Sequence, residues 1–348
     1  MRINSVLMEY NKSSGRPMKL LILTYNLTRP SFRQRIELHL DILRSAGIEC
    51  EICLYPRGNF ARWKVLKRCF DFDAVLLQKK TLNFFDAFLL RRYARKVIFD
   101  FDDAIMYSAN EPERECSPRK YSRPFERTVK LSDMVIAGNS YLARLAERFS
   151  SNVEVVPTGL DINRYELDSK PRKDGKIRLV WIGSQATLKY LKQIAPALER
   201  IGERFDNVIL RIICDSFFDL QNMKVEKRRW SLETEAADLV GSDIGLSPLE
   251  DDRFTRGKCG FKILQYAASG LPVVASPAGV NSDYVKPGTT GLLAISTCEW
   301  VDALTELIEK AILRKKMGEN NLSFVKDFDA DIVGQKLVEL IKKVCSPP

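Results

Sequence analysis

The 348-residue chain predicts an α/β protein of two facing doubly wound domains, and three observations carry that expectation. Short apolar runs alternate with amphipathic stretches almost from end to end, the pattern of parallel strands joined by crossover helices. A polar segment, Asp168 to Gly175 (DSKPRKDG), splits the runs into two series, as a linker between domains does. The length, finally, exceeds one typical core and leaves sequence enough to bury two.

Residues 1–17 are polar and patternless and are expected to form a loose arm, because strand-like sequence begins only at Met18-Lys19-Leu20. The first domain, 18–167, then shows strands at Leu20 to Tyr25, Glu49 to Tyr55, Ala74 to Gln78, Val97 to Phe101, Met134 to Ala137 and Val153 to Val156, with a helix expected over Phe32 to Ala46. The linker is placed at 168–176. In the second domain, 177–321, strands fall at Ile177 to Ile182, Val208 to Cys214, Asp243 to Leu246, Pro272 to Ser276 and Gly291 to Ile295. The last segment, 322–348, reads as one long helix from about Leu322 to Val344, long enough to cross back to the first domain. No repeat of solenoid period and no low-complexity tract interrupts this order.

Composition excludes several classes of function. Apolar residues make up 45% and charged residues 29%, ordinary for a globular chain. No apolar run reaches the ~18–20 residues of a membrane-spanning helix, and no export signal opens the chain, so a cytoplasmic location is expected. In that setting the eight cysteines are expected to be free thiols. Cys50 and Cys53 form one CxxC without a second pair or a nearby histidine, and lie in a strand. The single histidine, His39, rules out a multi-histidine metal site and leaves any histidine-dependent hydrolase only a residue flanked by Leu38 and Leu40; a buried structural role fits it better. Net charge is +10, and residues 56–130 hold 17 Lys/Arg against 10 Asp/Glu. Such a surplus favours an anionic partner: a phosphate-rich substrate, an acidic bilayer surface or nucleic acid. Trp63, Lys64, Lys67 and Arg68 share one amphipathic stretch suited to peripheral contact with an anionic membrane. No recognised nucleic-acid motif accompanies the charge, so no nucleic-acid partner is expected.

In facing doubly wound domains, ligands bind at the carboxyl ends of the strands, which directs attention to three loops. Gly257-Lys258-Cys259-Gly260 is a Gly/Lys turn that opens a helix carrying Phe261, Ile263, Leu264, Ala267 and Ala268 on one face. Free backbone N–H groups and the positive dipole end, joined by Lys258 and Lys262, suit a diphosphate. A P-loop fails here on spacing, since Cys259 follows where Ser or Thr is needed and the earlier glycine falls on Asp252. After the first strand, Arg29, Arg33 and Arg35 enter a helix, and their forked guanidinium groups suit the anionic group of an acceptor or the phosphates of a donor. Of three Asp-Phe-Asp triplets, Asp71-Phe72-Asp73 precedes a strand and faces away from the cleft, and Asp327-Phe328-Asp329 is expected to be solvated. Asp100-Phe101-Asp102-Asp103 ends a strand, so its carboxylates are expected in the cleft. A DxD triplet can also hold a metal on a diphosphate, but Lys258 and Lys262 would already supply that positive charge, and two strand series speak against a single-domain, metal-dependent form.

The run Gln265, Ala267, Ala268, Gly270, Pro272, Val273, Val274, Ala275 resembles the donor-binding half of the group 1 glycosyltransferases (glycosyltransferase family 4), retaining enzymes with the two-domain GT-B fold. Val156-Pro157-Thr158-Gly159-Leu160-Asp161 is similar to that family's Val-Pro-x-Gly-x-Asp element, and Gly183-Ser184 stands at its Gly-Arg turn, with Lys189 where the family has a phosphate-binding lysine. The chain departs from the family at three points. Gly257 and Gln265 occupy the two positions of its Glu-x7-Glu pair, and Ser184 replaces its arginine.

The resemblance implies transfer of a sugar from a nucleotide diphosphate-sugar to a hydroxyl acceptor, with retention of configuration, no metal and no cofactor. Its setting would be bacterial cell-surface polysaccharide or lipopolysaccharide synthesis, with an acceptor that can be lipid-linked, at the inner face of the membrane. By position, Gly183, Ser184, Lys189, Glu250, Lys258, Cys259, Gly260 and Gln265 are candidate donor ligands; Asp102, Asp103 and Lys262 are candidate catalytic groups; and Arg29, Arg33 and Arg35 are candidate acceptor ligands. The rivals are a GT-B sugar-phosphate epimerase, which would need more histidine, and a nonenzymatic nucleotide or nucleic-acid binder on a decayed transferase scaffold.

Overall fold

A computed structural model describes residues 16–108, 120–167 and 174–346. The arm, most of the linker and Cys116 thus lie outside the described residues, apart from Arg16, Pro17 and Asp174 to Lys176.

The first domain runs β1 (Met18–Thr24), α1 (Pro30–Arg35), α2 (Leu40–Ser45), β2 (Ile48–Leu54), α3 (Asn59–Arg68), β3 (Ala74–Gln78), α4 (Phe84–Tyr93), β4 (Val97–Phe101), α5 (Ser122–Leu131), β5 (Met134–Ala137), α6 (Ser140–Glu147) and β6 (Val153–Val155). Its six strands are all parallel, in the order β2-β1-β3-β4-β5-β6. The second domain runs β7 (Ile177–Ile182), α7 (Leu188–Gln193), α8 (Ala195–Arg204), β8 (Val208–Ile213), β9 (Lys224–Arg228), α9 (Glu235–Val240), β10 (Ile244–Ser247), α10 (Phe261–Ala268), β11 (Val273–Ala275), α11 (Asn281–Tyr284), β12 (Gly291–Leu293), α12 (Thr297–Glu309), α13 (Ala311–Phe324) and α14 (Ala330–Cys345). Its sheet is likewise parallel, in the order β12-β11-β10-β7-β8-β9. The α/β class and the two doubly wound sheets are those expected from the sequence. β3, β4, β5 and β7 are buried along most or all of their length, which explains why they read as continuous apolar runs.

Three expectations need correction. The helix anticipated over Phe32 to Ala46 is broken at Ile36 (φ −124°, ψ −63°), followed by one 3-10 turn and α2. This break lets Phe32, Ile36 and Leu43 all enter the core shared with α14. The final helix is not continuous from Leu322: α13 ends at Phe324, a 3-10 turn follows, and Asp329 caps α14 by accepting from the Asp331 N–H at 2.8 Å. The third Asp-Phe-Asp triplet is therefore a structural joint rather than a solvated stretch. Phe328 packs on Tyr284 and Phe324 with centroids 5.0 Å away, and its carbonyl accepts from Leu160 N–H at 2.9 Å. The edge strand β9 (KVEKR) was missed because charged residues and half-exposure erase the apolar pattern.

Beyond the joint, α14 crosses to the first domain, where Val333, Leu337, Val338 and Ile341 pack against Leu20, Ile22 and Ile98 beneath the first sheet. Polar contacts tie the domains together around the cleft. Asn139 Nδ2 donates to Lys258 O at 3.1 Å, Tyr141 Oη to Arg253 O at 3.1 Å, and Lys258 Nζ to Asp103 Oδ1 at 3.1 Å.

Candidate active site

The second sheet reverses its strand order between β7 and β10, so the loops leaving those two strands diverge and open a crevice. After β7, Gly183 turns the chain against the ring of Trp181. A Cβ on Gly183 would stand 2.5 Å from Trp181 Cη2, closer than real side chains approach. Ser184 then begins a reciprocal capping arrangement with Thr187. Lys189 is exposed on the first turn of α7, its ammonium 4.9 Å from the centre of the Tyr190 ring.

From the other side of the crevice, α10 presents its N-terminus. Gly260 is its cap in left-handed conformation (φ 67°, ψ 18°), a position where a Cβ would also strike Val280 and Tyr284. No side chain caps this end, so backbone donors are left for a ligand or solvent. Lys262 lies in the first turn with its Nζ 4.2 Å from the centre of the Trp181 ring. No carboxylate pairs with it among the described residues. Burial, then the charge of Lys258, pushes its ammonium down to a pKa of about 7. A cation so placed gains from a bound anion, which would restore its proton.

Lys258 stands near enough to that helix end to act on Lys262, but its ammonium is already engaged. Its extended backbone turns the ammonium to Asp103 of the first domain, with the Phe254 ring 4.5 Å away. Asp103 also pairs with Lys79, and Lys79 lies 3.0 Å from Asp102. Burial would raise the Asp103 carboxyl, but Lys258 and Lys79 outweigh it and hold the group below the usual carboxylate range. The Lys79 ammonium is likewise raised, its carboxylate neighbours overcoming burial. Lys79 has φ 55°, the one described non-glycine residue with positive φ, a conformation that persists where surroundings over-determine it. No sequence signal announced Lys79; it follows β3 without a motif.

The remaining candidates separate cleanly. Asp102 and Cys259 sit where the domains meet, close enough that Asp102, after burial itself, raises the Cys259 thiol. Gln265 is buried, with Nε2 donating to Tyr165 Oη at 3.1 Å. Glu250 is exposed and accepts a hydrogen bond from Gln193 Nε2. Gly257 faces Ala104 of the first domain so closely that a Cβ would lie 2.7 Å from Ala104 Cβ; a glutamate there would not fit without separating the domains. The three arginines diverge. Arg29 lies over the Tyr25 ring and donates to its hydroxyl at 2.9 Å. Arg33 reaches the second domain, its guanidinium 5.1 Å from the Trp230 ring. Arg35 is buried, paired with Asp100 and donating to Val156 O at 2.6 Å. Its donors are spent inside the first domain, so it is not carried forward as an acceptor ligand, and Asp100 is withdrawn from the cleft with it.

His39 is buried against Gly159 and Gly334, whose missing Cβ atoms make room for its ring, and burial lowers its pKa to about 4. Neutral and enclosed, it supplies no catalytic histidine. Among the described residues no group of three or more His, Cys, Asp or Glu is arranged to hold a metal, and no helix is long and apolar enough to cross a membrane.

Residues 176–310 match the family Glycosyl transferases group 1. No curated protein matches the sequence. Among solved structures, the chain is similar to HepE of Anabaena in complex with UDP and glucose, at 15% identity over 94% of this chain and 100% of that one, TM-score 0.67. Sucrose-phosphate synthase of Thermosynechococcus elongatus aligns with TM-score 0.70 at 11% identity over 94% and 98% of the two chains. WaaG, a glycosyltransferase involved in lipopolysaccharide biosynthesis, aligns with TM-score 0.67 at 14% identity over 92% and 99%. These likenesses share two facing parallel sheets, and the family match falls on the sheet that carries Gly183, Lys258 and Lys262. Residues 176–310 thus match the group 1 glycosyltransferases, and the chain as a whole shares the GT-B fold of these structures.

Proposed function

We propose that this glycosyltransferase takes its sugar from a nucleotide diphosphate donor bound to the second domain and passes it to a hydroxyl acceptor bound to the first. The observation that carries the reading is Lys262, a half-buried ammonium on an aromatic ring with no counterion, at the uncapped start of α10 and facing the glycine turn after β7. The diphosphate would lie there on backbone N–H groups, with Lys262 and Lys189 offsetting the charge that grows on it as the sugar leaves. Ser184, exposed after the glycine turn, and the Ser247–Glu250 loop would meet hydroxyl or phosphate oxygens, whereas Gln265 is buried with its amide on Tyr165.

Asp102 and Asp103 would meet the transferred sugar or accept the acceptor's proton. Lys258 pairs with Asp103 across the cleft, and a diphosphate would compete for that ammonium. Donor binding thus frees Asp103 from one of its two lysines. Retention of configuration and catalysis without a metal belong to the same proposal and rest on the family resemblance. So does the setting in bacterial cell-surface polysaccharide or lipopolysaccharide assembly; HepE in complex with UDP, and WaaG, a glycosyltransferase involved in lipopolysaccharide biosynthesis, support that class. An epimerase would need histidine in the cleft, and the single histidine is buried elsewhere.

Contact with an anionic membrane is supported by the outer face of α3 and α4. Phe60, Phe84, Phe85 and Phe88 are all more than half exposed, and Trp63, Lys64, Lys67, Arg68 and Arg92 line a groove beside them. Aromatic side chains interleaved with cations suit the interface of an acidic bilayer.

A calorimetric screen of UDP, GDP, ADP and CMP with their sugars, with and without Mg2+ or Mn2+, tests the donor site, and sedimentation with phosphatidylglycerol vesicles at low salt tests the membrane face. Metal-independent binding of one nucleoside diphosphate is expected. Binding by none of them contradicts the donor reading, strict metal dependence contradicts the metal-free one, and no sedimentation removes the membrane face.

A further inference from the structure

The first sheet has a crevice of its own. Its order reverses at β1, so the loops after β1 and β3 part to opposite faces, the geometry that opens ligand sites in parallel sheets. A cavity of about 470 Å³ lies there, within the usual range for small-molecule sites. It is lined by Tyr25 after β1, Tyr55 and Arg57 after β2, Lys79 and Lys80 after β3, and Arg62 of α3.

The lining is one-sided in charge: four cations and no carboxylate. Two of the cations are answered from behind the wall, Lys79 by Asp102 at 3.0 Å and Arg62 by Asp86 at 3.5 Å. Arg57 and Lys80 form no ion pair among the described residues, and the Lys80 ammonium rests 5.2 Å from the centre of the Tyr55 ring. Burial works against the Lys80 charge and lowers its pKa, with Arg62 adding to the effect and Asp86 opposing it. Arg62 Nε is buried without a hydrogen-bond partner, a donor that costs free energy until an acceptor arrives. Uncompensated cations, an unpaired guanidinium N–H and tyrosine hydroxyls together describe a site for phosphate oxygens.

We infer that this crevice holds a phosphate or diphosphate group of the acceptor, so that the molecule receiving the sugar is anionic rather than a neutral glycan. The inference rests on the transferase reading and names the acceptor class for it. Lys79 belongs both to this cavity and to the pair with Asp102 and Asp103, so an anchored phosphate places the rest of the acceptor beside the carboxylates proposed to take its proton. A lipid-linked diphosphate and a soluble sugar phosphate share this chemistry.

The test uses the full chain with saturating UDP, which occupies the donor side, and titrates farnesyl diphosphate and glucose 1-phosphate separately by calorimetry. Wild type, the Arg57→Ala/Lys80→Ala double variant, Lys80→Arg and Lys262→Ala are compared, with melting temperatures to verify that each is folded. Binding is expected to weaken at least tenfold in the double variant, to persist in Lys80→Arg, and to be unaffected by Lys262→Ala. Farnesyl diphosphate alone binding points to a lipid-linked source, and equal binding of glucose 1-phosphate to a soluble one; either supports the inference. Failure of both ligands to bind wild type, or equal binding to the double variant, overturns it. Should UDP fail to bind while a phosphate ligand binds in the Arg57/Lys80-dependent manner, the donor reading falls and this site stands.

Discussion

Both sheets present cations at their strand ends, and Arg35 and Lys79 on the first are held in the opposite way to Lys262 on the second. Beneath the first sheet's edge of the cleft, Arg35 is buried with Asp100, and Lys79 is held by Asp102 and Asp103. On the second sheet Lys262 is set on an aromatic ring and meets no carboxylate. A buried cation whose counterion is built into the fold is part of the architecture, and charging it costs little. One left half-buried without a counterion is destabilising unless something from outside supplies the negative charge. The same residue types therefore mean scaffold at Arg35 and Lys79 and ligand site at Lys262.

The comparison breaks most visibly at Arg35. Arg35→Ala leaves the Asp100 carboxylate buried and unpaired, which is expected to cost about 3–5 kcal/mol of stability, measured by chemical denaturation. A loss under 1 kcal/mol would mean that the pair is not structural and would return Arg35 to the candidate ligands. A smaller effect is expected where the two sides touch. Gly257→Ala drives a methyl into Ala104 and should cost about 1–3 kcal/mol, as overpacking does, with a neutral result showing that the domains already stand apart there in solution.

The contrast also explains what could be read from the sequence. The second-domain site is contiguous: turn, helix and following strand fall within residues 257–275, so glycines, lysines and the apolar face declared themselves at short range. Most strands were equally legible, since burial on both faces writes them as apolar runs. What escaped depends on contacts between distant residues. Arg35 and Asp100 are 65 positions apart, and nothing near Arg35 announces that its charge is already used. Lys79, Lys80, Arg57 and Arg62 come from two separate segments, 57–62 and 79–80, and form a site only once β2 and β3 lie on either side of β1. The two broken helices likewise reflect packing against a partner element, which overrode a local pattern that favoured continuity.

The most direct test of the account is the affinity of UDP, or whichever nucleoside diphosphate binds best, measured by calorimetry from pH 6 to pH 9 in wild type and in Lys262→Ala. The anion binds the protonated lysine, whose free-state pKa is about 7. Wild-type affinity should therefore hold below pH 7 and fall by up to ~10-fold per unit above it, with a proton taken up on binding. The variant should bind about 10- to 100-fold more weakly at pH 6, the worth of one charge-assisted contact, and show none of that slope, while melting no lower than wild type. Equal affinity and an equal pH profile in the two proteins would contradict the claim that the unpaired lysine of the second sheet is the donor's phosphate ligand.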